Sequence, residues 1–131
     1  MLVGDFASKF SLKVLAMSRE GSRRPIEGGF VGDVLSHVMA NALPGYVWVT
    51  VQTHENIVAV ASLLDVACVV VCQRELPSEV IKKADAQGVT LLWSGDSAFA
   101  LCGRMYASMN AGARTGESPT LTGKEGYCVC R

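Results

Sequence analysis

An excess of charge of either sign is absent from this sequence. Among its 131 residues, Lys plus Arg and Asp plus Glu stand at 12 each. A nucleic-acid footprint needs a clustered basic excess. The nearest feature is Arg19 with Arg23 and Arg24 in a Gly/Ser-containing stretch, which reads as a solvated turn. No apolar run reaches the ~18 residues that a membrane span requires. The longest, such as Ala67 to Cys72, are strand-sized. Asp5, Lys9 and Lys13 interrupt any apolar signal-peptide core, so a cytoplasmic location is expected.

The familiar catalytic signatures are missing as well. There is no G-x-S-x-G elbow. His54-Glu55 is followed by Asn-Ile-Val, so no H-E-x-x-H pattern forms. Gly123-Lys124 is the only Gly-Lys and is followed by Glu125, which excludes a Walker A loop. Five cysteines, an odd number, with no export signal argue for reduced thiols. Cys68, Cys72 and Cys102 fall in apolar segments and read as small core residues. Cys128 and Cys130 form a C-x-C pair, but two thiolates do not complete a tetrahedral site, and the only histidines are His37 and His54. No metal or cofactor is expected.

What remains is a globular composition, with half the residues hydrophobic and 18% charged. The length suits one domain with a core that needs no staples. Asp5 to Phe10 suggests a short helix, and Ser11 to Met17 a strand by near alternation. Ser18 to Gly29 reads as a polar loop, with a short extended piece possible around Pro25-Ile26-Glu27. Asp33 to Ala42 carries Val34, Leu35, Val38, Met39 and Ala42 at helical spacing, with Asp33 placed to cap it. Tyr46 to Val51 and Ala67 to Cys72 are apolar on both faces, as buried parallel strands are. A helix from Glu55 to Leu64 separates them. Pro77 opens a third helix that ends at Gly88. Val89 to Trp93 is a strand, and Ala98 to Ala107 a final helix. This alternation predicts a three-layer α/β/α fold, a mostly parallel sheet with helices on both faces. The expected division is a domain over residues 1–108 and a flexible tail over 109–131, rich in Gly, Ser and Thr.

Three polar loops then fall at the carboxyl ends of strands, where open α/β sheets bind ligands. They are Gln52-Thr53-His54-Glu55-Asn56, Gln73-Arg74-Glu75 and Ser94-Gly95-Asp96-Ser97. In the first, Gln52 and Asn56 offer donors and acceptors, Thr53 could cap the helix, and His54 could titrate near neutrality. The plainer reading is that these residues only satisfy a helix end. Gly28 and Gly29 permit a close backbone approach, and Asp33 and Ser36 follow at a helix start; a loop with an N-cap explains them equally.

The stretch from Glu27 to about Tyr106 resembles the DRTGG-domain proteins. It is closest to the short stand-alone members often encoded beside iron-only hydrogenase and redox genes. The similarity is carried by Glu27 through Ser36, Val38-Met39-Ala40, Val51 through Ala61, Ala98-Phe99, and Gly103 through Tyr106. Thr53-His54 stands where the wider family has Asp-Arg, and Cys72-Gln73-Arg74 where it has Thr-Gly-Gly. The resemblance implies a three-layer α/β fold and a homodimer. It relates the chain to regulatory domains of phosphotransacetylases and of CBS-domain pyrophosphatases, and to the N-terminal part of HPr kinase/phosphorylase. The expected function is a non-catalytic regulatory or ligand-sensing module. Its site candidates are Gln52, Thr53, His54, Asn56, Gly28, Gly29, Asp33 and Ser36, in a pocket or a dimer seam, and a small anion or nucleotide is the ligand considered. The alternatives are an accessory protein of a hydrogenase-type redox assembly and a small enzyme with His54 as general base.

Overall fold

The computed structural model describes residues 1–110. The expected tail beyond them, with Cys128 and Cys130, lies outside the described residues. A five-stranded sheet has the order β1-β5-β4-β3-β2. Its strands are β1 (Lys13–Ala16), β2 (Gly28–Val31), β3 (Tyr46–Thr50), β4 (Cys68–Cys72) and β5 (Leu91–Ser94). Strands β2 to β5 are parallel, and β1 closes the far edge antiparallel to β5. The helices are α1 (Val3–Lys9), α2 (Arg19–Ser22), α3 (Leu35–Asn41), α4 (Asn56–Leu64), α5 (Ser78–Ala86) and α6 (Ala98–Met109).

The three-layer α/β fold follows from the alternation of side chains along β3 and β4. Trp48, Val69 and Val71 face one layer, where they meet Val38 of α3, Ile57, Val58 and Ala61 of α4, and Val80 and Ala84 of α5. Val47, Val49, Cys68, Val70 and Cys72 face the other, against Val3, Phe6 and Ala7 of α1 and Leu101 and Met105 of α6. Every residue of β3 and β4 is buried. The successive β-α-β units carry α3, α4 and α5 to a single face, because right-handed crossovers moving in one direction along a sheet stay on one side.

Two local differences from the sequence reading have physical causes. Gly28–Val31, expected as loop, forms edge strand β2 beside β3. Without side chains, Gly28 and Gly29 leave no periodic signature for a strand. Arg19–Ser22, also expected as loop, forms one helical turn, capped by Ser18 Oγ accepting from the Gly21 N–H. At the opposite end of the sheet from the polar loops, the Arg24 guanidinium donates to Asp65 Oδ1 and to the Asp65 carbonyl, both at 2.6 Å. These bonds fasten the left-handed end of α4 (Asp65 φ 58°) to the segment leading into β2.

Cys68 and Cys72 are free and buried, as expected. Burial pushes the Cys68 thiol up to about 12. Burial, then the Asp96 and Asp33 carboxylates, push Cys72 up to about 11. Both thiols therefore keep their protons in the fold while the unfolded chain loses them from about pH 8.5. Their contribution to stability is full below that pH and is lost as pH rises toward 11–12. In the native protein at pH 8, Cys68 and Cys72 should resist iodoacetamide while both alkylate in denaturant, as read by mass spectrometry of the digest. Native labelling at the denatured rate would contradict this burial.

Candidate functional site

Because β3, β4 and β5 run parallel, their carboxyl ends share one edge of the sheet, and the three polar loops meet there. The loops after β3 and β4 turn toward α4 and α5, whereas the loop after β5 turns to α6 on the opposite face. Ligands of open α/β sheets bind beyond this carboxyl end of the strands.

Asp33 organises the first loop. It was expected to cap α3, but that helix has its N-cap at Val34, without a side-chain hydrogen bond. The carboxylate instead reaches across to β3. Its Oδ1 accepts from Thr50 Oγ1 and from the Val51 N–H, both at 2.8 Å. The buried Thr50 hydroxyl oxygen in turn accepts from the Gln52 N–H at 3.1 Å. Gln52 Nε2 donates back to the Asp33 carbonyl at 3.0 Å. The end of a strand that can no longer pair is thus satisfied from a neighbouring loop.

Thr53 was expected to cap α4. The cap position is Glu55, in helical conformation and without a side-chain bond. His54 performs the related task, its Nδ1 accepting from the Asn56 N–H at 3.1 Å. That bond requires an unprotonated Nδ1, so the proton of the neutral ring sits on Nε2, free to donate.

The second loop is held on both sides. Gln73 N–H donates to the Ser94 carbonyl at 2.7 Å, and Trp93 Nε1 donates to the Arg74 carbonyl at 3.0 Å. Arg74 reaches the first loop, donating to the Val51 carbonyl at 3.3 Å. In the third, Ser97 Oγ caps α6 by accepting from the Ala100 N–H, and Arg104 pairs with Asp96.

Between the first and second loops lies an open cleft of about 480 Å³, lined by Gln52, Thr53, His54, Glu55, Arg74, Pro77, Glu79 and Val80. Of the residues expected at the site, Gln52, Thr53 and His54 line the cleft. Asn56 begins α4 just behind it, and Asp33 braces its wall. Gly28 and Gly29 pair with Tyr46 and Val47 at the start of β3, toward the other end of the sheet. Ser36 is exposed on α3, outside the cleft lining. Arg74 and Glu79 were not among the expected site residues. Arg74 was legible as part of a polar loop after a buried strand, whereas nothing in the sequence marked Glu79.

Gln73 has φ 66°, and the Arg74 N–H closes a tight turn around it onto the Cys72 carbonyl at 2.7 Å. Glycine would adopt that backbone without strain.

No family model matches the sequence, and no curated protein matches it. A solved structure of the CBS and DRTGG domains of the regulatory region of Clostridium perfringens pyrophosphatase, complexed with the activator diadenosine tetraphosphate, shares the fold. The TM-score is 0.63 at 15% identity, over 76% of this chain and 44% of that one. The chain therefore spans less than half the length of that structure's chain, and at this identity the likeness is one of fold.

Replacing Gln73 by Gly should relieve the left-handed strain and raise the unfolding free energy by about 0.5–1 kcal/mol in urea titrations. A loss of stability would show that the Gln73 side chain contributes more than its backbone costs.

Proposed function

We propose that this chain is a non-catalytic regulatory or ligand-sensing module that acts as a homodimer and takes its ligand in the cleft between the β3–α4 and β4–α5 loops. The observation that carries the reading is the bracing of these loops. Asp33, Thr50 and Gln52 fix the β3–α4 loop by side-chain hydrogen bonds and Arg74 joins it to the β4–α5 loop, while the polar residues Gln52, Thr53, His54 and Arg74 line an open cleft. A wall held in place before a ligand arrives lowers the cost of binding. The His54 ring has a structural partner in the Asn56 amide, which fits a binding role better than a general base. The regulatory origin of the structure that shares the fold supports the same reading.

The dimer half of the proposal rests on the resemblance and on the place of β2 at the end of the strand order among the described residues. Val34, 65% exposed, stands three residues beyond that strand. An exposed apolar side chain beside the last strand of a sheet is a point that a second copy can cover. Gly28, Gly29 and Ser36 then belong with the subunit contact, and Gln52, Thr53, His54 and Asp33 with the cleft. A redox-enzyme partner has only the resemblance behind it.

Titrating the full chain with a library of small polar metabolites, followed by amide NMR, should move the signals of Gln52, Thr53, His54 and Arg74 first. Sedimentation should give twice the 13.9 kDa chain mass. Shifts confined to the opposite end of the sheet would overturn the cleft assignment, and a monomer at micromolar concentration would overturn the dimer.

A further inference from the structure

The charges around the cleft restrict what it can hold. Among the described residues that line it, Arg74 is the one permanent cation, and Glu55 and Glu79 are two carboxylates. His54 adds a neutral N–H donor, because its Nδ1 is engaged with the Asn56 amide. The balance is slightly negative, so a ligand bearing three or four phosphate charges meets more repulsion than attraction. A ligand with a single anionic group fares differently. Arg74 has five N–H donors, and the bond to the Val51 carbonyl, long at 3.3 Å, occupies one of them. The rest form a planar fork suited to a carboxylate. Its base is held by the Trp93 indole on the Arg74 carbonyl, so the fork is presented from a fixed backbone.

Building on the ligand-sensing reading, we propose that the cleft selects a small zwitterion of amino-acid type. Its carboxylate binds Arg74 with the His54 Nε2–H, its ammonium group pairs with the Glu55 and Glu79 carboxylates, and polyphosphate nucleotides are rejected. A ligand carrying both charges meets a partner for each. An acid or an amine alone leaves one side of the cleft unmatched, and this is how such a site discriminates. The volume of about 480 Å³ is within the usual range for small-molecule sites and leaves room for a side chain.

The test uses the full chain, with each of the twenty L-amino acids in turn, and with ATP and diadenosine tetraphosphate in the presence and absence of Mg²⁺. Calorimetry and amide NMR provide the readouts. At least one amino acid should bind and move the His54 and Arg74 signals. Its N-acetyl derivative and its carboxamide should each bind about tenfold more weakly or worse, because each lacks one charge. Arg74→Ala should weaken binding by about tenfold or more. Arg74→Lys, which keeps the charge without the fork, should fall between, and Glu79→Gln should weaken it less. Arg74→Lys also serves where Arg74→Ala melts early. A polyphosphate that binds in the cleft more tightly than any amino acid overturns the zwitterion assignment and leaves the cleft standing as a ligand site. Binding of neither class, with no other small molecule moving the cleft signals, overturns both.

Discussion

The constraint on which this structure depends is that β3 and β4 are covered on both faces. Between them they offer ten buried positions, and apart from two thiols the polar groups are the Tyr46 hydroxyl and the Thr50 hydroxyl at the two ends of β3 and the Trp48 indole N–H, which is paired with the Gly32 carbonyl. A doubly covered strand has no room for unpaired polar groups in its middle, so hydrogen-bonding chemistry is displaced to the strand ends. With four strands parallel, the carboxyl ends gather along one edge, and the molecule's polar loops follow. Strand order then decides which loops touch. Because β4 lies between β3 and β5, Arg74 can reach back to Val51 while the Gln73 amide reaches forward to Ser94.

Within that frame Asp33 converts proximity into order. Its carboxylate supplies the partner that the Val51 amide would otherwise lack and sets the Thr50 hydroxyl that receives the Gln52 amide. A hydrogen bond to a charged acceptor contributes about 1.5–3 kcal/mol where it is sheltered from water, and of the two the Thr50 bond is the part-buried one and the Val51 bond the exposed one. The first loop is therefore fixed by a residue from an entirely different loop. That is a tertiary dependence, and it links the edge strand β2, which delivers Asp33, to the wall of the cleft.

This also explains which parts of the molecule were readable beforehand. The strands β3, β4 and β5 and the helices α4, α5 and α6 carry long apolar patterns with Pro77 and Gly88 as boundaries, and these survive translation into structure. Strand β2 did not announce itself, since Gly28 and Gly29 have no side chains to alternate. Asp33 was legible as a polar residue beside a helix start, and local rules assigned it to that helix. Its true partners, Thr50 and Val51, are seventeen and eighteen residues away, and no local rule sees them. The same holds for Arg74 and Glu79, which share a cleft with His54 only because β3 and β4 pair. His54 was noticed for its titration; its ring serves the amide of Asn56, a role set by the turn geometry at the head of α4.

The bracing of the polar edge gives a small domain with a preformed cleft, the basis of the binding role proposed above. The claim at the centre is that the cleft wall is ordered without a ligand, through Asp33. Amide hydrogen exchange in the ligand-free protein tests it most directly. Val51 and Gln52 should exchange slowly in the native chain, and Asp33→Ala should abolish that protection while the amides in the middle of α4 remain protected. Exchange of Val51 and Gln52 at the unprotected rate in the native chain would contradict the account.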